Sequence, residues 1–135
     1  MILYENNRIS VCREIAAKPS AVWDILTDTQ LWPVWGPSVL NVDCNDRYIT
    51  TGSSGRVKTL LSFWLPFTVT AFRRLEYWSW NIGPVAATGH RLIRKSETSC
   101  ILCFDMAWWA AFYIPICWLA LHKIDQIARS AEPPA

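Results

Sequence analysis

The sequence predicts an α+β fold: an antiparallel sheet packed against one long C-terminal helix, with two short helices inserted after the first strand. Three observations predict it. From Val39 to Met106, short runs of alternating apolar and polar residues are separated by turn residues, the signature of a meander. Beyond Met106 the apolar spacing changes to three and four residues, which is helical. Between the first alternating run and the meander lies a proline-initiated amphipathic segment, closed by Trp32-Pro33-Val34-Trp35-Gly36-Pro37.

The first strand is expected over Arg8–Ile15. Pro19 suits the first turn of a helix, because its fixed φ is pre-set for one and its missing N–H has no partner there anyway. Lys18 before it is pushed toward an extended conformation. Val22, Trp23, Ile25 and Leu26 give that helix its apolar face, and a second short helix from Thr27 or Asp28 runs through Gln30 and Leu31 to a stop at Pro33. Val39–Cys44 reads as a strand, followed by a turn at Asn45-Asp46-Arg47 and a Gly52–Gly55 loop. Arg56–Phe63 is the next strand, and the chain restarts at Leu65-Pro66 with Phe67, Val69 and Ala71 alternating. In Glu76–Ile82, Trp78, Trp80 and Ile82 share one face. Gly83-Pro84 turns the chain into Val85–Arg94, and Lys95-Ser96-Glu97 turns it into Thr98–Met106. Trp109, Phe112, Tyr113, Ile116, Ala120, Ile124 and Ile127 then form a helical stripe, with His122, Asp125, Gln126 and Arg129 on the other face.

The chain has 135 residues, enough for one domain with a real core, so 1–135 is expected to be a single domain with a disordered tail at 132–135. Hydrophobic residues reach 52% and charged residues only 18%, and nine tryptophans suit a chain that lines a large internal surface or touches lipid. A net charge of +2, with scattered basic residues, is too small to imply nucleic acid, and no nucleic-acid partner is expected. The five cysteines are an odd set, and no signal peptide is visible. Free thiols used as small apolar fillers in the cytoplasm are therefore expected. Cys100 and Cys103, three apart on a strand, point to opposite faces and have no second ligand pair elsewhere, so neither a metal nor a cofactor is expected. Gly52-x-x-Gly55 precedes a strand rather than a helix and forms no phosphate cradle.

The stretch Arg13-Glu14-Ile15-Ala16-Ala17-Lys18-Pro19-Ser20-Ala21-Val22-Trp23-Asp24-Ile25-Leu26-Thr27-Asp28, running on into Leu31–Pro37, resembles the opening of the START-like, helix-grip fold of the SRPBCC superfamily, which includes polyketide cyclases and lipid-transfer proteins. Thr88-Gly89-His90 with Leu92 resembles the sixth strand of polyketide-cyclase-like members, and Lys123–Glu132 their closing helix. The resemblance covers nearly the whole chain. It implies a curved sheet wrapped around the C-terminal helix, with an apolar cavity between them.

Strand parity and the helical stripe together nominate the cavity wall: Trp78, Trp80, His90, Leu92, Leu102, Phe104, Trp109, Phe112 and Ile116. His90 is the one candidate for proton transfer or for orienting a ligand oxygen, against the plainer role of a hydrogen-bonded core histidine. His122 is expected in solvent. Asp24 and Asp28 belong to a wet helix face or a cap, and Asp105 points outward. One of Arg73 and Arg74 is expected to face inward, where it would bind an acidic head group. Met106–Leu121 carries no charge, but it is shorter than a bilayer span and is interrupted by Pro115, so it is read as a buried helix.

The expected function is binding of a hydrophobic small molecule, lipid-like or aromatic, as carrier or sensor. The alternative is a cyclase, aromatase or dehydratase acting on a polyketide-like substrate with His90 as acid/base. The third reading is a membrane-peripheral accessory protein, with contact through Phe63, Trp64 and Phe67 in a loop at 62–67 that would otherwise close over the cavity as a lid.

Overall fold

The computed structural model describes residues 1–131; the expected tail at 132–135 lies outside them. Eight strands form one antiparallel sheet in the order β1-β2-β8-β7-β6-β5-β4-β3. They are β1 (Ile2–Glu5), β2 (Arg8–Ile15), β3 (Val39–Cys44), β4 (Ser54–Thr59), β5 (Trp64–Arg73), β6 (Tyr77–Ile82), β7 (Val85–Arg94) and β8 (Cys100–Ala107). Helices α1 (Pro19–Thr27) and α2 (Trp32–Trp35) follow β2, and α3 (Ile114–Ala131) closes the chain after a 3-10 segment at Trp108–Tyr113. This is the α+β helix-grip architecture, with α3 packed against β2, α1 and α2.

Local chemistry sets the elements. Lys18 is extended (ψ 134°) and Pro19 starts α1, as its fixed φ favours. The second helix departs from expectation: Pro33 lies inside α2, in its first turn, rather than ending it. Proline is tolerated there because a first-turn N–H has no helical partner. The indole N–H groups of Trp32 and Trp35 donate to the carbonyls of Leu26 and Ile25 at 3.1 and 3.2 Å, which pins α2 on the end of α1. Strand β1 was not expected. Asn6 and Asn7, at φ 52° and 62°, build the tight hairpin that returns it onto β2.

The meander is shifted at the expected Gly52–Gly55 loop, where Ser54 and Gly55 already belong to β4, and again before β5. The expected strand to Phe63 ends at Thr59, and the turn is made by Leu60–Phe63, with Ser62 at φ 68°. Trp64–Phe67 are therefore in β5, not in a loop. Pro66 precedes the first residue paired with β6, and its carbonyl takes the Gly83 N–H at 2.7 Å. Gly83 (φ 58°) and Pro84 make the two-residue β6–β7 turn where one was expected.

Parity sorts the faces. Ile9, Val11 and Ile15 of β2, Trp78 and Trp80 of β6, and Leu102, Phe104 and Met106 of β8 are buried against the helices. On the opposite face Asp105 accepts from Ser10 and pairs with Arg91 at 3.2 Å, the outward position expected of it. Cys12 and Cys103 lie directly opposite each other on that face of β2–β8 and form a disulfide. The expectation of five free thiols is corrected, and with it the redox argument for the cytoplasm; Cys44, Cys100 and Cys117 are free. No helix among the described residues is long and apolar enough to cross a membrane.

The helical stripe is also corrected. Trp109 and Phe112 are 54% and 77% exposed, and the side chains that α3 buries are Cys117, Ala120, Leu121, Ile124 and Ala128. Trp108–Tyr113 winds at about three residues per turn, with a kink at Ala110, and Pro115 begins α3 afresh, so no 3.6-residue stripe runs through both. Asp125, expected on the wet face, is buried and bridges Arg13 at 2.7 Å and Arg129 at 2.9 Å. His122, expected in solvent, is half-buried and stacks on Trp118.

Candidate ligand-binding cavity

Two adjoining chambers open between the helices and the concave face of the sheet. The larger has a volume of about 490 Å³ and lies under the 3-10 segment, walled by Val57, Leu65, Trp80, Ile82, Met106 and Tyr113. Its rim carries Leu60, Leu61 and Phe63 of the β4–β5 turn, Val85 at the start of β7, and Trp109 and Phe112, each between 48% and 77% exposed. The inner chamber is about 30 Å³, room for one or two water-sized groups. It shares Ser38, Val39, Trp80, Thr88 and Tyr113 with the larger one and reaches down to Trp78, His90 and Phe104. No Asp, Glu, Lys or Arg among the described residues lines either chamber. An ionised ligand buried there would find no counter-charge, a cost of several kcal/mol on the order of magnitude.

An aromatic stack holds the polar end in place. The His90 ring lies on Trp78 at 3.8 Å with 15° between planes, Trp32 stacks on Trp78 at 5.5 Å, and Phe104 meets His90 edge-on at 4.8 Å. His90 is 2% exposed. Burial pushes its imidazole down to about 3, partly opposed by the hydrogen bond to the Trp78 carbonyl, so it is neutral at ordinary pH. Both ring nitrogens are engaged: Nδ1 with the Trp78 carbonyl and Nε2 with Thr88 Oγ1, each at 3.2 Å. Trp80 Nε1 donates to the same Thr88 oxygen at 3.3 Å. Ser38 and Tyr113 line both chambers as well, and their hydroxyls hydrogen-bond to each other. Burial raises the Tyr113 phenol above its ordinary value, against the opposing Ser38 hydrogen bond, and keeps it protonated.

The nominated wall residues separate into three groups. Trp78, Trp80, His90, Phe104 and Ile116 line the inner chamber, and Trp109 and Phe112 stand at the outer rim. Leu92 and Leu102 are buried in the core and line neither. Neither arginine of the Arg73-Arg74 pair points inward: both are exposed, and Arg73 pairs with Glu76 on the surface. Of the two places expected for Asp28, a wet face or a cap, it takes the second: it is the C-cap of α1, 3% exposed, held by Arg47 and by the Gln30 N–H. Phe67, expected at a membrane contact, is 2% exposed and packs edge-on against Trp32 and Trp80. Ser38, Thr88 and Tyr113 supply the polar side of the cavity without having been nominated. Thr88 and Tyr113 were legible, one by its parity with His90 and the other by the helical stripe, whereas Ser38 sits in a loop with no periodic signal.

The comparisons with known proteins agree with this geometry. A family model described as polyketide cyclase / dehydrase and lipid transport matches residues 7–118. A conserved protein of unknown function from Enterococcus faecalis superposes with a TM-score of 0.69 at 18% identity, over 99% of this chain and 80% of that one. A Mesorhizobium loti protein gives 0.71 at 13% identity, over 93% and 99%. Norcoclaurine synthase from Thalictrum flavum, solved in complex with dopamine and hydroxybenzaldehyde, gives 0.66 at 9% identity, over 98% and 91%. At these identities the structural likeness is one of fold. No curated protein matches the chain. The family match over most of the chain, on a sheet wrapped around a closing helix, establishes that this protein belongs to the polyketide cyclase/dehydrase and lipid-transport family of the SRPBCC superfamily.

Proposed function

We propose that this protein binds a neutral hydrophobic small molecule, lipid-like or aromatic, in its internal cavity and acts as a carrier or sensor for it. The observation that carries the reading is the larger chamber: about 490 Å³, apolar almost throughout, with no charged side chain on its wall among the described residues. That size and lining suit a ligand of a few rings or a short lipid chain, with a few polar groups fixing its orientation. Norcoclaurine synthase, of the same fold, was solved with two small aromatic molecules. A native mass spectrum of freshly purified protein tests the reading. A neutral small-molecule adduct, lost on gentle activation, is expected.

The environment of His90 argues against the alternative of a cyclase, aromatase or dehydratase that uses it as acid/base. With a pKa near 3 the imidazole is a weak base and carries no proton to donate at neutral pH, and both nitrogens are already spent on internal partners. The exposed apolar rim favours a role at the membrane within the carrier reading. Leu60, Leu61, Phe63, Trp109 and Phe112 ring the mouth, and an apolar cargo would pass from bilayer to chamber without crossing water. Phe63 and Trp64, 49% and 37% exposed, would share that contact; Phe67 would not.

A further inference from the structure

Hydrogen-bond direction at the polar end of the cavity selects among neutral ligands. The Trp78 carbonyl can only accept, so His90 Nδ1 carries the ring proton and Nε2 is bare. Nε2 therefore accepts from Thr88, which spends the threonine's only hydrogen. The threonine oxygen also accepts from Trp80 Nε1, and one lone pair is left. Thr88 thus offers the chamber an acceptor and no donor.

Other groups lining the chamber have the reverse character. Ser38 and Tyr113 carry two hydrogens between them and use one in their mutual bond, so one O–H is left to donate. Trp78 adds to this surplus: its Nε1–H is buried without a partner among the described residues, and Trp78 lines the same chamber.

We propose that the inner chamber is a subsite for a single hydroxyl group of the ligand, which donates to Thr88 Oγ1 and accepts from the Ser38–Tyr113 pair. A hydroxyl does both with one heavy atom, whereas a carboxamide or carboxylic acid needs three; an ether or ketone oxygen only accepts, and it leaves the Thr88 lone pair unmatched. The chamber's volume of about 30 Å³ admits such a group and not a second ring. The ligand is then an apolar molecule with a phenol or alcohol at its leading end, its body in the larger chamber. The proposal rests on the cavity reading above.

Isothermal titration at pH 7 with naphthalene, 2-naphthol and 2-methoxynaphthalene tests it, on the wild type and on Thr88→Val and Thr88→Ser. Thr88→Val keeps the side-chain shape and removes the acceptor, and should weaken 2-naphthol about tenfold, the scale of one directed hydrogen bond. The ether and naphthalene should stay within about twofold, and Thr88→Ser should restore the preference. In the wild type, 2-naphthol should bind about tenfold more tightly than its methyl ether, a comparison that needs no variant to fold. Equal binding of naphthol and ether by the wild type overturns the proposal, as does a full preference that survives both in Thr88→Val and in Thr88→Val combined with His90→Phe, which removes the His90 Nε2 acceptor that the valine frees. Naphthalene binding with no such preference leaves the cavity reading standing alone. Failure of all three to bind overturns both.

Discussion

Replacing His90 by phenylalanine separates the histidine's packing from its hydrogen bonds and its charge. The ring stack on Trp78 and Phe104 is kept, and two hydrogen bonds are lost, at a cost of roughly 1–3 kcal/mol at pH 7. The pH dependence should change more distinctively. In the native protein burial holds the imidazole down to about 3, whereas the unfolded chain protonates near 6.5. Below pH 6.5 the unfolded state binds a proton that the folded state refuses, so stability falls as pH falls, and the loss continues down to about pH 3. At pH 5, a unit and a half below the unfolded value, the loss amounts to about 2 kcal/mol, or roughly 5–10 °C in Tm for a domain of this size. Urea denaturation followed by circular dichroism at pH 7, 6 and 5 measures it. The wild type should lose about 2 kcal/mol more than His90→Phe over that interval, so the two stabilities converge near pH 5. His122 is present in both proteins and cancels. Parallel curves from pH 7 to pH 5 would show that His90 titrates normally in the folded state, and would end the account of a neutral, sequestered imidazole.

Ile124 is fully buried where α3 meets the core, so Ile124→Asp should unfold the protein or remove several kcal/mol, read as a lost or sharply lowered thermal transition. Phe112→Asp, at a rim position 77% exposed, should change stability by less than about 0.5 kcal/mol and abolish flotation with phosphatidylcholine–phosphatidylglycerol vesicles. Undiminished flotation would remove the rim from membrane contact. Cys12 and Cys103 join β2 to β8 across a separation of 91 residues, and reduction or Cys12→Ser should cost about 2–5 kcal/mol in urea denaturation. A midpoint unmoved by dithiothreitol would mean that the bond adds nothing to the fold.

The sheet was legible wherever side chains alternate strictly. Trp78, Trp80, His90 and Phe104 declared their face because polar or small residues stand between them, and burial of one face leaves little freedom of register. The shifted turn at Leu60–Phe63 was hidden because both sides of it are apolar: leucines and aromatics at an exposed cavity rim look locally like a buried strand. The same masking misplaced Trp109 and Phe112, whose helical spacing continues into α3 on paper and is broken in space by the 3-10 segment and Pro115. Asp125 reads as a surface residue because its partner Arg13 lies 112 residues away. The Cys12–Cys103 pairing is invisible for the same reason, since it depends on which strands become neighbours. The cavity's hydrogen-bond directions were beyond sequence altogether: Thr88 is an acceptor only because His90, its tautomer fixed by the Trp78 carbonyl, takes its hydrogen and Trp80 takes one lone pair.

The central claim is that the larger chamber, not the outer surface, takes up a neutral apolar molecule. Ala87 lines that chamber on β7 and is only partly exposed, so Ala87→Trp fills space that a ligand would need. The most direct test is a fluorescence titration of wild type and Ala87→Trp with Nile red, a neutral dye that brightens in apolar surroundings, with both proteins verified as folded by their melting transitions. The account predicts saturable binding to the wild type and at least a tenfold weaker response from the filled variant, roughly 1.4 kcal/mol or more. Equal affinity in the two proteins would place the dye outside the chamber and contradict the claim.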